Sequence, residues 1–203
     1  TDINQLGATL EAITGQLWPE WVLCLATKAD LTDQLAEVIT TVGDARVRVT
    51  GPEPAVLADW AAWVPAGDVL HEASLFALAH ALAQDPEAVV AYTDNDHVDS
   101  RGRFLLPHAK PDWNPDLLAG QYYLGGLVAY RADIVAGGPG HETPHERALR
   151  ATEGLTTSQV THVPHVLYSA RIDSESTSGD LGWTEGNHIK WPLPEPALKV
   201  SVL

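Results

Sequence analysis

Methionine is absent from the chain, cysteine occurs once and phenylalanine only twice. No run of about 18 apolar residues is present, which removes a membrane-spanning helix from the reading. The single Cys24 has no partner for an intrachain disulfide, and its place in the apolar run VLCLA reads as a small buried side chain. Without methionine there is no native start residue, so the sequence is expected to be a domain cut from a longer protein. Basic residues are scarce: 12 Lys and Arg stand against 27 Asp and Glu, a net charge of −15. Nucleic acid and anionic membrane surfaces need clustered Lys and Arg, so neither is an expected partner, and no direct membrane insertion is expected. No signal-peptide pattern heads the chain, and the expected location is cytoplasmic, extending to the inner face of the membrane.

What is present is an alternation of helical and extended patterns. Ile3, Leu6, Leu10, Ile13 and Leu17 recur at helical spacing behind Asp2, and residues 21–26 form an apolar run of strand length. Leu31, Leu35, Val38, Ile39 and Val42 mark a second helix closed by Gly43. Val47 and Val49 then alternate with Arg46 and Arg48, the period of a half-exposed edge strand. A short strand at 61–64 and a helix at 70–82 follow. This succession predicts a largely parallel sheet covered by helices. The second half reads as strands at 89–93, 104–106, 124–130, 160–163 and 166–171, so the sheet is expected to be mixed. Residues 173–186 are polar and turn-forming, and WPLPEP after them reads as an extended linker.

Residues 89–113, VVAYTDNDHVDSRGRFLLPHAKPDW, carry the most chemistry. A short β-rich segment runs straight into Asp94, Asn95, Asp96 and Asp99, with Arg101-Gly102 supplying a turn. Charged groups at a strand end lie where open α/β sheets form their ligand crevice. In D-x-D spacing, Asp94 and Asp96 either approach one cation or act as turn formers bonded to their own backbone.

This stretch resembles the YSDEDKID…FKPDWSPDLL signature of bacterial family 2 glycosyltransferases that build O-antigens and other surface polysaccharides. The resemblance continues through residues 9–26, 68–75, 117–131, 162–171 and 191–203. It implies a GT-A-like (Rossmann-like) α/β domain of three layers with a mixed, mainly parallel central sheet over residues 1–172. Residues 173–203 are then a linker and the first strand of a following glycosyltransferase domain.

The resemblance also implies three chemical positions. Where the family has carboxylates for the nucleoside, this chain has Ala26-Thr27-Lys28-Ala29-Asp30, and Lys28 reads as a phosphate contact or a solvated loop residue. Where the family reads LDHDD and holds Mg²⁺ or Mn²⁺ on the donor diphosphate, this chain reads Val64-Pro65-Ala66-Gly67-Asp68. Only Asp68 survives there, as a metal-site remnant or as the cap of a helix starting near Val69. At the catalytic base the matched residues are HETPHERALR, leaving Glu146 as the candidate, unless it belongs to a surface charge pattern with Arg147 and Arg150. Candidate metal ligands are therefore Asp68, Asp94 and Asp96. On the acceptor side the candidates are Asp94, Asp96, His108 and Trp113, the last as a stacking face for sugar or as a core anchor. His162 is expected to make a structural hydrogen bond.

The implied activity is transfer of a sugar from a nucleotide-sugar donor to a cell-surface polysaccharide acceptor. Because all three positions are altered together, the site is expected to be impaired, and the divalent cation of the family is in doubt. The alternative is a non-catalytic saccharide-binding or scaffolding module attached to a catalytic glycosyltransferase domain.

Overall fold

The computed structural model describes residues 3–26, 32–50, 56–139 and 142–172. Lys28, the linker and the strand expected after it lie outside these residues. In chain order the described elements are α1 (Ile3–Thr14), β1 (Leu23–Ala26), α2 (Thr32–Val42), β2 (Val47–Thr50), β3 (Trp60–Ala61), β4 (Val69–Leu70), α3 (Ser74–Gln84), β5 (Val90–Val98) and β6 (Phe104–His108). They continue with α4 (Pro115–Gly120), β7 (Val128–Arg131), α5 (Ala132–Val135), α6 (Pro144–Thr152) and β8 (Val160–Arg171). No helix among them is long and apolar enough to cross a membrane.

Strand periodicity builds three layers. Val90 and Tyr92 of β5, with Val128 and Tyr130 of β7, pack against Leu118 of α4, Val135 of α5 and Ala148 and Ala151 of α6. The intervening Ala91 and Ala129 face the other way, onto Ile13 of α1 and Leu78 of α3. A third cluster joins Leu6 and Leu10 of α1 and Leu35 of α2 to Leu25 and Val47 of the two-stranded sheet.

The sheet is mixed, as expected, but its parallel share is smaller than the alternation of elements suggests. β1–β2 and β5–β8 pair parallel, whereas β3–β7, β4–β8, β5–β6 and β5–β7 pair antiparallel. The main sheet has the order β3-β7-β5-β8-β4, with β6 also on β5. β3 and β5 run in the same direction, but β7 lies between them reversed. The turn from β5 to β6 is likewise too short for the crossover that parallel pairing needs.

Two local expectations change with the topology. The helix expected over 70–82 begins only at Ser74, because Val69 and Leu70 pair with Ser169 and Tyr168 of β8 and Leu70 is buried there. Asp68 is therefore not a helix cap. The acidic stretch expected as a strand-end turn is strand as far as Val98, held by β6 on one edge and β8 on the other. The tight turn comes later, where Asp99 Oδ1 accepts the main-chain N–H groups of Arg101 and Arg103 at 2.9 Å.

Gly126 sits at φ +70, and a Cβ there would lie 3.0 Å from Asn95 Cβ and 3.1 Å from Tyr168 Cδ1. Gly154 has φ +74 with nothing within 4 Å of the same position. Gly154→Ala is expected to cost about 1 kcal/mol from backbone strain alone, and Gly126→Ala about 1–3 kcal/mol, the larger loss of the two. Urea unfolding of both variants checks the order.

Candidate functional site

The polar end of β5 organises the site. Asp94 is buried, and its Oδ1 accepts the Lys110 main-chain N–H at 2.9 Å and lies 2.9 Å from His162 Nε2 on β8. The His162 ring stacks on Tyr92, with centroids 4.7 Å apart and planes 8° from parallel. Its Nδ1 lies 3.2 Å from Oδ1 of Asp112, whose side chain is 95% exposed. The expected structural hydrogen bond of His162 is thus to a carboxylate that the sequence placed among the acceptor candidates.

Lys110 fastens the segment between β6 and α4. Its buried Nζ donates to the carbonyls of Thr93 and Leu124 at 2.6 Å and to that of Gly125. Burial pushes its pKa down to about 7, against the opposing pull of the Asp94 carboxylate. Tyr92 donates its hydroxyl to Pro111 O at 2.6 Å, and Tyr123 Oη accepts from Asn114 N at 2.9 Å. Asn114 in turn caps α4 by accepting from Leu117 N. Sequence reasoning missed Lys110, Asp112 and Tyr168 as site residues, because a lysine or an aspartate in a polar segment carries no sign of its burial or exposure.

At the position that the resemblance assigns to the donor metal, Asp68 is engaged through both carboxylate oxygens. Oδ2 accepts the Tyr168 hydroxyl, and Oδ1 accepts the Arg171 main-chain N–H at 2.8 Å. Its own carbonyl accepts from Thr9 Oγ1 at 2.7 Å, and that same hydroxyl oxygen accepts from Gly67 N at 2.9 Å. Burial raises the Asp68 pKa, opposed by these hydrogen bonds and by the charge of His97, and burial also pushes the Tyr168 hydroxyl up. Above Gly67 the space is filled: a Cβ there would lie 2.9 Å from Arg171 Cδ and 3.4 Å from Gln5 Cβ.

The remaining candidates are dispersed. Asp96 Oδ1 accepts Ser169 Oγ at 2.5 Å. His108 is exposed on β6, opposite Asn95. Trp113 is half-buried against the cluster of Tyr92, Leu118 and Tyr130. Glu146 completes the capping box of α6, accepting from Thr143 N at 2.7 Å while Thr143 Oγ1 accepts from Glu146 N at 3.2 Å. Divalent cations bind through several convergent oxygens. Among the described residues no group of three or more His, Cys, Asp or Glu is placed to hold one.

No protein-family model matches the chain. It is 27% identical over 194 residues to the O-antigen biosynthesis protein RfbC of Myxococcus xanthus, covering 83% of this chain and 15% of that protein. An uncharacterized protein, y4gI, of Sinorhizobium fredii is 28% identical over 190 residues, covering 83% of this chain and 21% of that protein. The chain thus spans well under two thirds of these curated relatives. Among solved structures it is similar to residues 1–349 of S. aureus TarS, with TM-score 0.59, 12% identity, and coverage of 82% of this chain and 56% of that one. The same TarS segment in complex with UDP gives TM-score 0.58 at 13% identity, with the same coverage. The fold is GT-A-like, and the resemblance read from the sequence stands.

Removing the Asp68 carboxylate leaves the buried Tyr168 hydroxyl and the Arg171 N–H without their acceptor. Asp68→Ala is expected to lower unfolding free energy by about 2–4 kcal/mol, and Tyr168→Phe by less, with urea denaturation as the measurement. Lys110 supplies a pH test. An unfolded lysine keeps its proton to about pH 10, so between about pH 7 and 10 the unfolded chain binds more protons than the folded one. The stability contributed by this group therefore rises with pH across that window and is lost as pH falls through about 7. Urea unfolding at intervals from pH 6.5 to 9.5 should show a smaller upward slope in Lys110→Met than in the parent.

Proposed function

We propose that this chain, a GT-A-like domain related to bacterial family 2 glycosyltransferases, serves surface-polysaccharide synthesis as a transferase-like module whose own donor site is impaired. The role in polysaccharide synthesis is supported by the similarity to a protein named for O-antigen biosynthesis. The impairment is supported by one observation above the others. The carboxylate remaining at the metal position is buried and already accepts from Tyr168 and from the Arg171 main chain, with Pro65, Ala66 and Gly67 beside it in place of further oxygen ligands. A cation there would displace those donors and find too few ligands in return.

The acceptor side favours a saccharide-binding role for the same module. Asp112 presents an exposed carboxylate next to His162, His108 is exposed, and Trp113 is half-buried in the adjoining strap. Carboxylates and imidazoles bind hydroxyl groups, and an indole face accepts the apolar face of a sugar ring. In this reading the domain holds a growing saccharide beside a catalytic glycosyltransferase domain in the same polypeptide.

Calorimetric titration with UDP, with and without Mn²⁺, tests the donor side. No saturable binding tighter than about 1 mM is expected in either condition. Saturable binding that requires Mn²⁺ and is lost in Asp68→Asn would overturn the reading and restore a working donor site.

A further inference from the structure

α3 is apolar on both of its faces. Leu75, Leu78, Ala81 and Leu82 turn inward and pack in one cluster with Ile13, Leu127 and Leu167. On the outward side Phe76, His80 and Ala83 are exposed and Ala79 is half-buried between them. Their spacing of three, four and seven places them on a single stripe. A helix apolar all round belongs in an interior, and α3 is the only helix among the described residues without an Asp, Glu, Lys or Arg. Phe76 is nevertheless 49% exposed, and its ring stacks on that of His80 with centroids 6.2 Å apart and planes 7° from parallel. The apolar surface continues past the start of the helix. Leu17 there is 63% exposed, fixed by its main-chain N–H on Glu72 O at 2.9 Å.

We propose that two copies of this chain pair through this stripe, α3 antiparallel to α3, about a twofold axis between Ala79 and His80. Charge selects the occupant. At a net charge of −15 two copies repel each other, and they can meet closely only where the surface carries no charge. A partner recruited by its positive charge needs acidic residues facing it, and the stripe holds none. Antiparallel pairing makes the stripe complementary to itself: Phe76 of one copy lies over Ala83 of the other, and the reverse. The Phe76 ring is already ordered by its stack on His80, so seating it costs little further side-chain entropy. One helix face buries less area than a standard interface, so the pairing is weak, with a dissociation constant of about 10–100 μM.

Sedimentation velocity of the full chain from about 5 to about 500 μM should show monomer passing into dimer. Phe76→Asp should weaken pairing about tenfold or more, with far-UV circular dichroism unchanged. Phe104→Asp, at the 64% exposed apolar residue of β6, should leave pairing as it is. Cross-linking reads the geometry independently. Cys24 is the sole cysteine, so in a Cys24→Ser background Ala79→Cys should form a disulfide with its own copy under mild oxidation. Gln84→Cys should form none, because its two copies lie about 14 Å apart along the paired helices. A chain that stays monomeric up to about 500 μM overturns the proposal. So does a dimer that Phe76→Asp leaves intact, or a dimer without the cross-link at position 79.

Discussion

The parallel ladder between β5 and β8 is the constraint from which the rest of the structure follows. It runs from Val90 opposite Val160 to Val98 opposite Arg171, with register shifts on either side of Asp94. Pro164 lies on β8 between Val163, opposite Thr93, and Val166, opposite Asp94, where the missing N–H breaks no regular ladder bond. Below the shift, apolar residues of both strands form the core between the helical layers. Around and above it, polar residues of the two strands meet, Asp94 with His162 and Asp96 with Ser169, and Tyr168 of β8 reaches Asp68, which precedes β4. One pairing thus sets both the hydrophobic interior and the polar rim.

That arrangement explains why Asp68, Asp94 and Asp96 act as hydrogen-bond acceptors within the fold. A buried carboxylate is costly unless hydrogen-bonded, and each of those brought in by β5 and β8 has found a local donor. Tyr168 and the Arg171 main chain satisfy Asp68, so its removal would strand buried polar groups. The same economy operates on α6. Glu146 closes the capping box, and Glu142 holds Arg147 and Arg150 at 3.2 and 2.8 Å. Arg147 lies over the Trp63 ring at 3.9 Å, which ties that helix to the segment after β3. The helix matched to the family's base position is therefore built from interactions that anchor it to the domain.

The segment from Lys110 to Trp113 differs in character. Lys110 buries a charge among main-chain carbonyls, while two residues on Asp112 stands in solvent. A rigid anchor beside an exposed polar group is a physical basis for recognition, because the exposed group is positioned without further ordering on binding. The same contrast sets this segment apart from the filled surroundings of Asp68.

Sequence alone determined the elements whose periodicity is strong. The apolar spacing of α1 and α2, the alternation in β2 and the continuous run of β5 each encode a buried face, and Gly43 ended α2 as read. The ordered motifs from residue 89 to residue 113 and from 162 to 171 also carried the GT-A-like likeness, since motif order survives where overall identity is low. Only the tertiary structure decided strand direction, because a strand's apolar pattern reads the same both ways and β7 lies reversed between β3 and β5. It alone decided that Asp94 to Val98 continue a strand, since a β-partner on each edge overrides the turn preference of Asp and Asn. It also decided the states of Asp68, Lys110 and Asp112, for burial and hydrogen-bond partners arise from residues distant in the chain, and no local pattern records them.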